Sequence, residues 1–170
     1  MTEHPNYVEI NPIEKLNEIL NELEFYRTSV LTSVDDGYGW IGEDSQCIVI
    51  LSSNGGDNME IVLSDGGEFT LYFADAHAHY LAYQYDFERM LQDIQSILDN
   101  RICSGNLTDA EGEWYGSGFF EKDRISNDPE SVFQHAFEIK EFCEHLIKVG
   151  YIAEYKFWNP VNNKIIKKYN

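Results

Sequence analysis

Asp75-Ala76-His77-Ala78-His79-Tyr80 is the segment whose residue types and spacing suggest chemistry. Were it to continue as a strand, its side chains would alternate, so that Asp75, His77 and His79 face one way, successive ones roughly 6.5–7 Å apart. Two imidazoles and a carboxylate are a donor set for zinc or iron, and the small Ala76 and Ala78 leave room around them. A further ligand, such as His135 or His145, would have to come from elsewhere in the fold. H-x-H spacing is permissive, and no motif marks out a water-activating carboxylate for a metal-dependent hydrolase. The competing reading places the segment at the end of a sheet, leading into Tyr80, Tyr83 and Tyr85. Tyrosines beside histidines and acids make contact surface, because an aromatic ring buries area with few rotamers to freeze and keeps a polar tip. Protein binding is then the expected use, with no catalytic residues, no metal and no cofactor.

The charge of the chain bears on the choice. Among 170 residues, 30 Asp and Glu face 12 Lys and Arg, a formal charge of −18. A protein that neutralises phosphates needs a basic stripe, and anionic lipid repels an acidic surface, so neither nucleic acid nor membrane is an expected partner. Disorder is excluded by composition, since 43% hydrophobic and 14% aromatic residues supply a core. Residues 1–100 hold 19 of the acids and only Lys15, Arg27 and Arg89, whereas residues 101–170 hold 11 acids and nine bases. Solubility needs a net charge of only about 2–8, and a larger one repels itself. A basic protein partner, drawn in by electrostatic steering, would offset that cost.

The elements that must position these residues are legible from period and punctuation. Asn11-Pro12-Ile13-Glu14 starts a helix, with Asn11 as cap and Pro12 in the first turn. Ile13, Leu16, Ile19, Leu20 and Leu23 give it one apolar stripe from about 12 to 25. Short β-branched and aromatic runs follow at Thr28–Val34, Gln46–Ser52, Met59–Leu63 and Glu68–Ala74, separated by Gly, Asn and Asp turns. Asp86 can cap a second helix running to Asn100 on Phe87, Met90, Leu91, Ile94, Ile97 and Leu98. Ile102–Thr108 and Glu113–Phe120 form a hairpin, and Asp128-Pro129-Glu130 opens a third helix. That helix carries Val132, Phe133, Ala136, Phe137, Phe142, Cys143, Leu146 and Ile147 and stops at Gly150. Tyr151–Trp158 and Lys164–Tyr169 close the chain as a second hairpin. The expected fold is α+β within a single globular domain, residues 1–170. A mostly antiparallel sheet of six to eight strands carries three amphipathic helices, in the order helix, strands, helix, hairpin, helix, hairpin.

Other motifs narrow the function. Gly37-Tyr38-Gly39-Trp40-Ile41-Gly42 has G-x-G-x-x-G spacing but opens no helix, and Asp35, Asp36, Glu43 and Asp44 around it would repel phosphate. Trp40 with Tyr38 on this loop is instead a candidate exposed anchor. Cys47, Cys103 and Cys143 lack CxxC spacing and read as buried thiols. The start Met1-Thr2-Glu3-His4-Pro5-Asn6 lacks the marks of a signal peptide, and no run is apolar enough to span a membrane, so a cytoplasmic location is expected.

The run Gly67-Glu68-Phe69-Thr70-Leu71-Tyr72-Phe73, then Asp75 to Tyr80 and an acidic amphipathic helix, resembles small acidic bacterial immunity proteins of polymorphic toxin systems. The resemblance covers about 35 residues. It implies binding and blocking of a toxin, with no catalytic residues to carry over. The residues expected to meet the partner are Asp35, Asp36, Trp40, Glu43, Asp44, His77, His79, Tyr80, Tyr83 and Asp86.

Overall fold

A computed structural model describes residues 8–64, 67–127 and 140–169. The chain forms two compact units. One takes residues through Ser53, Asp57–Phe73 and Ala78–Gln95; the other takes Asn54–Gly56, Ala74–His77 and residues from Ser96 onward.

The first unit opens with helix α1 (Pro12–Glu22), whose N-terminus is capped as its sequence predicts, Asn11 Oδ1 accepting from the Ile13 N–H at 3.1 Å. Strands β1 (Thr28–Thr32), β2 (Gln46–Ile50), β3 (Met59–Leu63), β4 (Phe69–Phe73) and β5 (Ala76–Tyr80) form an antiparallel meander in the order β1-β2-β3-β4-β5. Helix α2 (Gln84–Leu98) follows. Register aligns Ile48, Ile61 and Leu71 in one row and Ile50, Met59 and Phe73 in the next, all buried. Phe87 of α2 packs against Phe69 at 5.8 Å between ring centroids. The opposite face of this sheet carries Cys47, Val49 and Val62, covered by Ile41 from the β1–β2 connection. Covering on both sides explains why β2 and β3 read as nearly unbroken apolar runs instead of alternating.

The second unit contains β6 (Ile102–Asp109), β7 (Trp114–Glu121), the short α3 (Lys122–Asn127), α4 (Lys140–Val149), β8 (Gly150–Lys156) and β9 (Lys164–Tyr169). Its four strands run in the order β7-β6-β8-β9, all pairs antiparallel. Cys103, Leu107, Phe120, Tyr151, Ala153 and Tyr155 from the sheet share a core with Ile125 of α3 and Cys143 and Leu146 of α4. Gly150, just past α4, takes φ of +96°, and a Cβ there would lie 2.6 Å from the Lys168 carbonyl oxygen. A left-handed residue at that point is what ends the helix.

The α+β class and the antiparallel pairing are as expected, but the strands form two sheets, of five and four, rather than one. Alternation reveals the faces of a strand; it does not reveal its partners. The expected third-helix start at Asp128-Pro129-Glu130, with Val132, Phe133, His135, Ala136 and Phe137, lies outside the described residues, as do Met1–Asn6 and the Asp65-Gly66 turn. No helix among the described residues is long and apolar enough to cross a membrane.

All three cysteines are buried free thiols. Burial pushes Cys47 and Cys103 up to about 12 from an ordinary value of 9.0, with the Glu60 charge adding to the effect at Cys47. In the unfolded chain these thiols ionise first, so the stability they contribute is complete below pH 9 and is lost as pH rises toward 12. Urea unfolding midpoints should therefore fall steadily between pH 9 and 11, and Cys103→Ala should flatten that fall. Equal slopes for the variant and the native chain would refute the assignment to Cys103.

Candidate functional site

The β1–β2 connection is built from consecutive turns. Asp35 Oδ2 accepts from the Thr32 N–H at 2.7 Å and from the Thr32 hydroxyl at 3.1 Å. Backbone bonds from Tyr38 N–H to the Asp35 carbonyl, Ile41 N–H to Tyr38 and Ser45 N–H to Gly42 continue the path. Gly37 takes φ of +84°, which suits the turn. Gly37–Gly42 thus lies in turns and opens no helix, so its amides form no phosphate cradle.

This path holds an aromatic group against the sheet. The Tyr38 hydroxyl donates to Glu60 Oε1 at 2.9 Å. Burial, then that hydrogen bond, pushes the phenol up to about 12, so the bond persists at every physiological pH. Trp40 lies 6.3 Å from Tyr38 and meets Tyr72 edge to face at 5.6 Å, with 83° between the planes. Two rings fix the indole from beneath, yet the residue stays 54% exposed. Glu43 and Asp44 further along the connection, and Asp36 at its start, are also exposed. Asp35 is half-buried and committed to Thr32.

On β5, Ala76 and Tyr80 are buried whereas His77 and His79 are exposed. His79 Nδ1 lies 2.8 Å from Glu68 Oε1 and 3.2 Å from Thr70 Oγ1. Asp75 is not in the strand. It occupies the turn before β5, its carboxylate 2.9 Å from Lys156 Nζ and its N–H donating to Ser104 Oγ at 3.2 Å. The alternation that would have aligned it with the two histidines begins only at Ala76. Among the described residues, no group of three or more His, Cys, Asp and Glu side chains is placed to hold a metal ion.

Tyr80, expected at the contact surface, is 1% exposed. Its hydroxyl donates to Asp93 Oδ2 at 2.8 Å, and the Arg89 guanidinium sits 5.1 Å from its ring centroid. Burial and then the Asp93 charge hold that phenol well above the usual range. It is a core residue with a satisfied polar tip. Tyr83 is half-buried, and its backbone bridges to Glu9. Asp86, expected as the cap of the second helix, lies inside its first turn, because α2 begins at Gln84. Its carboxylate accepts from the Leu81 N–H at 3.3 Å and lies 3.8 Å from Arg89, so it anchors the helix entry.

Of the expected contact residues, the structure places Trp40, Asp36, Glu43, Asp44, His77 and His79 at the surface. It adds two that the sequence reading passed over, Glu60 and Tyr72, the supports of Tyr38 and Trp40. Both carried a signal. Glu60 is the acid within the apolar run Met59–Leu63, and Tyr72 falls on the opposite face of β4 from Leu71 and Phe73. No family model matches the chain, and no curated protein or solved structure matches it.

Proposed function

We propose that this chain is an immunity-type inhibitor that binds a basic toxin domain and blocks it by covering its functional surface. The observation that carries this reading is the half-exposed Trp40, fixed by Tyr38 and Tyr72 within the acidic part of the chain. An indole already ordered before binding loses little further freedom on contact, and tryptophan is enriched among the residues that dominate interface energies. Exposed Asp36, Glu43 and Asp44 on the same connection supply the field that draws in a cationic surface. Mechanism is therefore occlusion: charge sets the encounter rate, the aromatic group sets the lifetime, and no bond is made or broken.

Co-expression tests the proposal. A toxin domain, should a reading frame adjacent to this one encode it, is expected to arrest growth alone and not when this chain is present. The purified pair should associate at least about tenfold more slowly at 500 mM than at 50 mM salt. Persistent arrest under co-expression overturns the immunity reading, and a salt-independent rate overturns electrostatic steering.

A further inference from the structure

We propose that β1 is the docking edge for an extended basic segment of the protein partner, which adds to the five-stranded sheet as a sixth strand. The proposal rests on the reading that the partner is a basic protein, and it goes further by naming the backbone groups that receive it.

β1 ends the strand order of its sheet. In an antiparallel pair, residues alternate between those that exchange backbone hydrogen bonds with the neighbour and those whose amide and carbonyl point away. The Leu51 N–H donates to the Arg27 carbonyl at 2.9 Å, and the register continues Thr28↔Ile50, Ser29↔Val49, Val30↔Ile48 and Leu31↔Cys47. Arg27, Ser29 and Leu31 are therefore turned toward β2, and Thr28, Val30 and Thr32 are turned outward. Thr32 is already closed. Its N–H donates to Asp35 Oδ2 at 2.7 Å, and its carbonyl accepts from the Asp35 N–H at 3.0 Å. Thr28 and Val30 have no corresponding backbone bonds among the described residues. Two amides and two carbonyls stand ready on one edge, and Val30 is 45% exposed.

Sheet edges are commonly protected by lysine, proline or a bulge. One edge of the other sheet follows that rule, its strand β9 carrying Lys164, Lys167 and Lys168. β1, Thr28-Ser29-Val30-Leu31-Thr32, has none of these. Its flanks hold Glu22, Glu24, Asp35 and Asp36 against Arg27 alone. Two copies joined antiparallel at this edge would bring the acids before β1 of one against the acids after β1 of the other, so the flanks oppose self-pairing. A strand with lysine or arginine at both ends meets them favourably. Strand addition of this kind draws affinity from main-chain bonds and specificity from alternate side chains.

Amide hydrogen exchange on the full chain provides the test. The probe is a synthetic peptide of alternating valine and threonine with lysine at both ends. Exchange at Thr28 and Val30 should slow at least tenfold with saturating peptide. N-methylation of the peptide amides that face β1 should abolish the protection, and glutamate in place of the lysines should weaken binding at least tenfold. Lack of protection at these two amides, whether or not the peptide binds elsewhere, overturns strand addition. If the toxin still binds, the basic-partner reading survives that result; if the toxin does not bind, that reading fails on its own. Protection that appears without peptide and grows with protein concentration assigns the edge to a second copy and overturns the choice of occupant.

Discussion

Gly105→Ala is expected to destabilise the four-stranded unit by about 3 kcal/mol, the upper part of the range for overfilling a packed core. Gly105 lies at the centre of β6, opposite Gly118 of β7 on one side and Tyr155 of β8 on the other. The Phe120 ring lies across it and meets Tyr155 edge to face at 5.6 Å and 80°. A Cβ on residue 105 would fall 2.5 Å and 2.6 Å from two Phe120 ring carbons and 3.0 Å from Tyr155 Cδ1. Neither ring has room to retreat, because Phe120 and Tyr155 are both within the buried core. The Tyr155 hydroxyl is itself buried without a hydrogen-bond partner among the described residues. Gly118→Ala is the matched control. A Cβ there would meet Phe120 at 3.8 Å, ordinary contact, so the same added methyl group meets no clash on the neighbouring strand. Guanidinium unfolding should show a large fall in midpoint for Gly105→Ala, little change for Gly118→Ala, and partial recovery when Phe120→Leu is added to Gly105→Ala. Equal midpoints for the two glycine variants would refute the clash.

That glycine was invisible to periodicity, and its case shows where sequence reasoning stops. Met59–Leu63 and Lys164–Tyr169 are strands over the residues expected, because local turn residues bound them. The first helix ends at Glu22 instead of near residue 25: Leu23 donates to the Ile19 carbonyl and is buried, but its backbone, at φ −99° and ψ 14°, has left helical geometry. Periodicity marks what is buried, and burial does not require helix. Strand β5 shows the reverse. Ala-His-Ala-His has little strand propensity, and what marks it as a strand is the burial of Ala76 and Tyr80 against exposed histidines. Pairing into two sheets had no local signature at all.

The candidate site divides along the same line. Trp40 and Tyr38 were recognisable because they stand in a glycine-rich acidic connection where no core was expected. Tyr80 is buried rather than exposed because its partner, Asp93, lies 13 residues on, upon α2. A tyrosine's exposure depends on whether its hydroxyl finds such a group, and spacing alone does not disclose that. Asp75 does not align with the histidines because the strand begins one residue later, after a turn where Ala74 takes φ of +51°.

Under the proposed function, Trp40→Ala is expected to weaken the proposed complex with a basic protein by about 2 kcal/mol or more, roughly thirtyfold in affinity. The loss should lie in dissociation. The indole is ordered from below by Tyr38 and Tyr72 and open above, so its contribution is area removed from water once the partner has docked. Removing it leaves the charges that govern encounter in place, and association rates should change little. Replacing exposed Asp36 and Asp44 by asparagine should do the opposite, slowing association most at low salt and leaving dissociation nearly unchanged. Tyr38→Phe separates support from contact: it deletes the bond to Glu60 but keeps the ring, so dissociation should quicken by less than in Trp40→Ala. Stability is the internal control, because Trp40 is more than half exposed and its truncation opens no cavity in the cluster of Ile41, Cys47, Val49 and Val62 beneath the connection. Surface plasmon resonance on the three variants, with unfolding midpoints in parallel, distinguishes the roles. Unchanged dissociation in a folded Trp40→Ala variant would remove the aromatic anchor from the mechanism and leave charge as its sole support.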